Sequence, residues 1–139
     1  MATRRELDVR LRRIYEPAGE DGLRVLIDRL WPRGVRRDGV RIDAWLKDLA
    51  PSSALRRWFG HDPARWSEFR RRYRAELRTQ GALIEQLRQA ARERPLTLLY
   101  AARDAKHNHA LVLREAIVGA ASAAGAGKTP RRGSVKVRP

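Results

Sequence analysis

Hydrophobic and polar positions first alternate with period two along this chain and then recur at helical spacing. In Val9-Arg10-Leu11-Arg12-Arg13-Ile14-Tyr15 apolar and basic residues alternate, which predicts a half-buried strand. Glu16 to Gly22 is rich in acids, Pro and Gly and reads as a loop. Leu23-Arg24-Val25-Leu26-Ile27 is a more continuous apolar run, as expected of a central strand covered on both faces. Asp28 to Gly34 follows directly and is irregular, because Pro32 pushes Trp31 out of helical geometry and Gly34 permits a left-handed turn. From Val40 to Leu49, Ile42, Ala44 and Leu46 alternate with Arg41, Asp43, Trp45 and Lys47, which predicts a third strand.

The period then changes. Ser52 is placed to cap a short helix that runs to about Phe59 and ends at Gly60. Asp62-Pro63 is an N-cap followed by a first-turn proline. Trp66, Phe69, Tyr73 and Leu77 then form an aromatic stripe among arginines, the mark of an amphipathic helix. Gly81 breaks it, and Leu83, Ile84, Leu87, Ala90 and Ala91 carry a second helix to about Glu93. Pro95 to Tyr100 is a short buried strand, Ala101 to Lys106 a turn, and His107 to Ala121 a last, mostly apolar helix. Strands interleaved with helices predict a layered α/β fold with a mainly parallel four-stranded sheet, since parallel neighbours need a crossover, usually helical. The expected organisation is a single domain over 1–121 and a flexible basic tail over 122–139, where Gly, Lys, Pro and Arg show no periodicity.

A chain of 139 residues has room for one domain with one real core. With no cysteine it can form neither a disulfide nor a thiolate metal site. No apolar leader follows Met1, and no run approaches a membrane span, so a cytoplasmic location is expected. Net charge is +15, from 31 basic and 16 acidic residues. This fits nucleic-acid binding through counterion release. It equally fits the arginine bias of a GC-rich coding genome, as the only lysines are Lys47, Lys106, Lys128 and Lys136.

In open α/β sheets ligands bind outside the carboxyl ends of the strands, so the residues just after each strand are the candidates for chemistry. The expected catalytic groups are Asp28, Tyr100, His107 and His109, with Arg29, Trp31, Arg33, Lys47 and Arg103 as ligand-binding groups. Four cations beside a helix N-terminus suit a phosphate or carboxylate, so the expected partner is a small anionic ligand. Each residue also has a structural reading. Arg29 could pair with Asp28, Trp31 could plug the core, Lys47 could decorate a strand edge, and Asp104 or Asn108 could cap the last helix. His107 and His109 are two apart, which points them away from each other on a helix; His61 could complete a trio, but no metal or other cofactor is expected. Gly125-Ala126-Gly127-Lys128-Thr129 resembles the end of a phosphate-binding loop, but Ser122 stands where the first glycine belongs and Pro130 follows. The alternative function is nucleic-acid association through Arg70, Arg71, Arg72 and Arg74 with the tail bases Lys128, Arg131, Arg132, Lys136 and Arg138. Sequence alone does not separate this from docking of an acidic protein.

Four ordered motifs carry a family resemblance. Asp28-Arg29-Leu30-Trp31-Pro32-Arg33-Gly34, the segments Trp45 to Ser52 and Leu55 to Pro63, and Leu98 to Asp104 followed by His107-Asn108-His109-Ala110 resemble the YeaO-like proteins, domain of unknown function 488. The similarity spans about Leu7 to Ile117. It implies a small bacterial α/β domain of the cytoplasm and brings no settled activity. A more distant branch carries cysteines around the loop matching Ala101 to His109; this chain has none, so thiol chemistry does not transfer.

Overall fold

A computed structural model describes residues 7–123. Four strands, β1 (Val9–Arg13), β2 (Leu23–Leu26), β3 (Ala44–Trp45) and β4 (Leu96–Tyr100), form one sheet of order β1-β4-β2-β3. Every neighbouring pair is parallel, and Leu96 to Leu99 of β4 is flanked by Val9 to Arg12 of β1 and by Leu23 to Leu26 of β2. The expected parallel sheet is therefore present. The crossover argument holds for one connection only: α1 (Ser53–Phe59), α2 (Trp66–Leu77) and α3 (Gly81–Glu93) all lie between β3 and β4. The β1–β2 and β2–β3 connections contain no α-helix. The chain closes with α4 (His109–Ala123).

Strand alternation divides the buried side chains. Val9, Leu23, Val25, Ile27, Leu96, Leu98 and Tyr100 share the main core with Phe59 of α1, Phe69 and Tyr73 of α2, Leu87 of α3 and Leu113 of α4. Leu26 and Leu99 point to the other face, where Ile14 and the partly buried Trp31, Val35, Ile42 and Trp45 cover them. One face thus carries the helices and the other a long irregular loop.

The helix signals act as the sequence predicts. Ser52 Oγ accepts the Leu55 amide, and both its amide and its hydroxyl are held by Glu76 of α2. Gly60, with φ of 53°, ends α1, and Asp62 caps the turn of Pro63. Three boundaries differ. The third strand is two residues long rather than spanning 40–49, because Lys47–Leu49 tightens into a 3-10 turn closed by the Leu49 and Ala50 amides on the Leu46 and Lys47 carbonyls. Lys47 is thus not a strand residue. The break between α2 and α3 is a 3-10 turn over Arg78–Gln80, and Gly81 begins α3. α4 starts at His109 rather than His107 because Asn108 is its cap, Oδ1 accepting the Ala110 and Leu111 amides.

β2 is buried along its whole length, as expected of a central strand covered on both faces, and the charge it carries there is Arg24. This arginine is fully buried, paired with the equally buried Asp21, and its Nε donates to the Arg41 carbonyl. Among the described residues no helix is long and apolar enough to cross a membrane. All but the first two positions of the expected tail, 122–139, lie outside the described residues, as do its bases and the phosphate-loop resemblance.

Candidate functional site

Adjacent parallel strands end at the same edge, so the segments leaving β2 and β4 emerge side by side. Asp28 joins them, its Oδ2 accepting the Ala101 amide at 3.1 Å. Its Oδ1 lies 3.1 Å from Nε2 of His109, and that nitrogen also lies 3.0 Å from the Ile27 carbonyl. Carbonyl and carboxylate oxygens can only accept here, so Nε2 carries the proton. The N–H serves the carbonyl and leaves Oδ1 shielded from solvent and short of a hydrogen bond.

A second Asp–His pair stands beside it. Nδ1 of His107 is 2.9 Å from Oδ2 of Asp104. The same logic puts the proton on Nδ1 and leaves Nε2 as the unengaged ring nitrogen. The His107 ring, ahead of the Lys106 amide, holds the Asp104 carboxyl below the usual aspartate range. Asp104 Oδ1 accepts the Lys106 and His107 amides. Asn108 Oδ1 takes the Ala110 and Leu111 amides, so four amides around the start of α4 are engaged internally. The helix N-terminus expected to bind the anion is capped from within.

Asp28, His107 and His109 line a cavity of about 260 Å³ at the carboxyl edge of the sheet. Its wall includes Asp28, Arg29, Arg56, His61, His107 and His109, so all three histidines of the chain face one space. Each leans on an aromatic ring of the helical layer. His61 lies 6.2 Å from Phe59, His107 meets Trp66 edge-on at 5.4 Å, and His109 meets Tyr73 at 6.2 Å. The aromatic stripe of α2 is therefore both core and scaffold: Phe69 stacks on Phe59 at 4.4 Å and fixes the end of α1 from which His61 projects. His61 has φ of 57° directly after Gly60, a left-handed pair that turns the chain back over the cavity.

Arg29 adds positive charge to the wall, and two of its five N–H donors go to the backbone. It donates to the Pro51 and Ala50 carbonyls, both at 3.1 Å, and clamps the entry to α1 against the exit of β2. Arg56 is exposed at the rim and has no carboxylate partner among the described residues. Arg56 and His61 are the wall residues that strand-end reasoning missed. The Gly60-His61 turn is the only local signal for either.

The remaining expected residues lie outside the wall. Tyr100 is buried in the main core, where burial, with Glu16 nearby, pushes its hydroxyl above the usual tyrosine value. Trp31 packs edge-on against Trp45 at 5.2 Å, and both indole N–H groups donate to backbone carbonyls, of Val35 and Asp28. Lys47 sits over the Trp45 ring at 4.3 Å. Arg33 is exposed, with its carbonyl accepting the Tyr15 hydroxyl, and Arg103 is exposed. On α2, Arg70 and Arg74 both pair with Glu115, and Arg71 and Arg72 both pair with Glu68. Four arginines there share two carboxylates, Glu68 of α2 and Glu115 of α4, so the face is only half neutralised. Among the described residues no group of three or more His, Cys, Asp and Glu could hold a metal ion.

Fold and site together define a small parallel α/β protein with a histidine-lined cavity at the carboxyl edge of its sheet. The chain belongs to the YeaO-like DUF488 family, and residues 8–134 match the group described as "Inactive DUF488-N3 subclade". It is 40% identical to the uncharacterized protein YeaO of Escherichia coli K12 over 110 residues, covering 78% of this chain and 96% of that one. It is 44% identical over 116 residues to the uncharacterized protein Rv3073c of Mycobacterium tuberculosis H37Rv, covering 83% of this chain and 98% of that one. The uncharacterized protein Mb3100c of Mycobacterium bovis is equally similar. No solved structure matches the chain.

Proposed function

We propose that the protein binds a small anionic ligand in the cavity at the carboxyl edge of the sheet. The observation that carries this reading is the company in one wall: Arg29, Arg56, His61, His107 and His109 with a single carboxylate, Asp28. That carboxylate is already engaged by the Ala101 amide and by contact with His109. Arg29, held rigid by two carbonyls, supplies fixed positive potential, while Arg56 and His61 supply mobile donors at the mouth. Arg33, Lys47 and Arg103 would act through the surrounding field rather than by contact. The word "inactive" in the family description weighs for binding over turnover, and so does the absence from the wall of the tyrosine expected to take part in chemistry.

A ligand that binds only the folded state raises the melting temperature with its concentration. A panel of small carboxylates and phosphates is therefore expected to yield a saturable rise that is lost in the Arg56→Ala, His61→Ala double variant. No rise with any anion, or a rise that survives the double variant, defeats the reading.

A further inference from the structure

We infer that the ligand is a monocarboxylate with a compact apolar or aromatic body, not a phosphate ester; this rests on the anion-binding reading above and narrows it. The wall is chemically two-sided. Leu30, Pro51, Phe59, Phe69, Ala101 and Ala102 contribute carbon, and the polar groups divide between mouth and floor. Arg56 and His61 are exposed at the mouth, whereas Asp28 and His109 are mostly buried.

The charge on the floor decides where an anion can sit. Asp28 has its acceptors turned largely to the protein, Oδ2 bonded to the Ala101 amide and Oδ1 shielded from solvent. A ligand meets it as a fixed negative field and keeps its own charge at the far end, beside Arg56 and His61. A second negative charge on the ligand worsens that repulsion.

Several of the donors that phosphate needs are engaged within the protein. Backbone amides at a helix start are the usual phosphate cradle. Here Asn108 takes the Ala110 and Leu111 amides and Asp104 takes those of Lys106 and His107. Arg29 gives Nε and one Nη2 hydrogen to two backbone carbonyls and keeps Nη1. What remains in the wall, the Arg56 guanidinium at the rim, one edge of Arg29 and the imidazole edges, suits the two oxygens of a carboxylate.

Size agrees with this class. The cavity is about 260 Å³. A closed apolar cavity of about 150 Å³ accepts benzene, and drug-sized ligands occupy about 300–1,000 Å³. A single ring or short aliphatic chain with one carboxylate fits between these limits. Its body would lie against the Phe59–Phe69 stack.

The test is calorimetric titration of the full chain with benzoate, hexanoate, acetate, inorganic phosphate and benzyl alcohol at one ionic strength. Benzoate or hexanoate is expected to bind at least about tenfold tighter than acetate or phosphate, with Arg56→Ala weakening it about tenfold. Arg71→Ala, on the remote face of α2, serves as the charge control and should leave binding unchanged. Phosphate binding as tightly as benzoate, with the same dependence on Arg56, overturns the monocarboxylate and leaves the anion site standing. Benzyl alcohol binding as well as benzoate, or no probe binding, overturns both.

Discussion

The two ends of the sheet treat charge in opposite ways. At the amino end, Asp21 and Arg24 are buried as a pair, Arg12 approaches Asp21 at 3.3 Å, and Asp43 accepts the Arg24 amide and the Arg41 guanidinium. The charged groups there face one another and the backbone. At the carboxyl end, Asp28 and Asp104 each engage a histidine, while the rings, Arg56 and the cavity remain accessible. Similar residue types give a structural cross-link where they are sealed and a candidate site where they are left open. Burial separates the two, because an ion pair removed from water must be satisfied internally or be strongly destabilising.

Breaking the sealed end should have the largest effect. Asp21→Ala leaves the Arg24 guanidinium buried without its partner and is expected to destabilise by about 3–5 kcal/mol, read from the urea midpoint. Acid sharpens the same point. Burial by itself would raise the Asp21 carboxyl, but the Gly19 amide, Arg24 and Arg12 outweigh it and hold the group below its usual value. A depressed carboxyl stabilises the fold above the unfolded value, about 3.9, and loses that contribution as pH falls through the folded one. The gap in urea midpoint between wild type and Asp21→Asn should therefore be constant near neutrality and narrow below about pH 4. A gap that widened on acidification would contradict the pairing.

Gly22→Ala comes next. Gly22 has φ of +66°, and a Cβ there would stand 2.1 Å from the Pro95 carbonyl oxygen, which already accepts the Leu23 amide. A loss of more than about 1 kcal/mol is expected, again by urea unfolding. At the open end, Arg56→Ala should change stability by less than about 0.5 kcal/mol while reducing ligand binding. An Arg56 variant as damaged as Asp21→Ala would erase the contrast between the ends.

Glu68 gives the smallest effect. The Arg71 hydrogen bond, followed by that of Arg72, lowers its carboxyl to about 2. An NMR titration should show it ionised down to that range, and Arg71→Ala should move it upward.

Local rules found much of this. The caps at Ser52 and Asp62, the stop at Gly60 and the α2 stripe were legible because each depends on residues within one or two turns. Asp28, His107 and His109 were legible as neighbours because strand ends converge in any parallel sheet. Lys47 was misplaced, since alternation from 40 to 49 looks the same whether a strand continues or a turn folds the last residues back. Arg24 was hidden in an apolar run because its partner, Asp21, lies in a loop whose path only tertiary packing defines. Arg56 escaped, and His61 was named only as a possible third histidine, because the end of α1 reaches the sheet edge through the Phe59–Phe69 stack, a contact between separate helices. Arg29 has a third role beyond the two weighed for it: it ties backbone to backbone.

The strand order has a consequence for the ribosome. β4, the central strand that pairs with both β1 and β2, is translated after the other three strands and after α1, α2 and α3. β1 and β2 are not neighbours, so a nascent chain that stops short of Leu96 holds only the short β2–β3 pairing. Closure of the sheet must wait until Leu96–Tyr100 has left the exit tunnel. Such late, long-range pairing leaves incomplete chains with uncovered strand edges, which favours aggregation over partial folding.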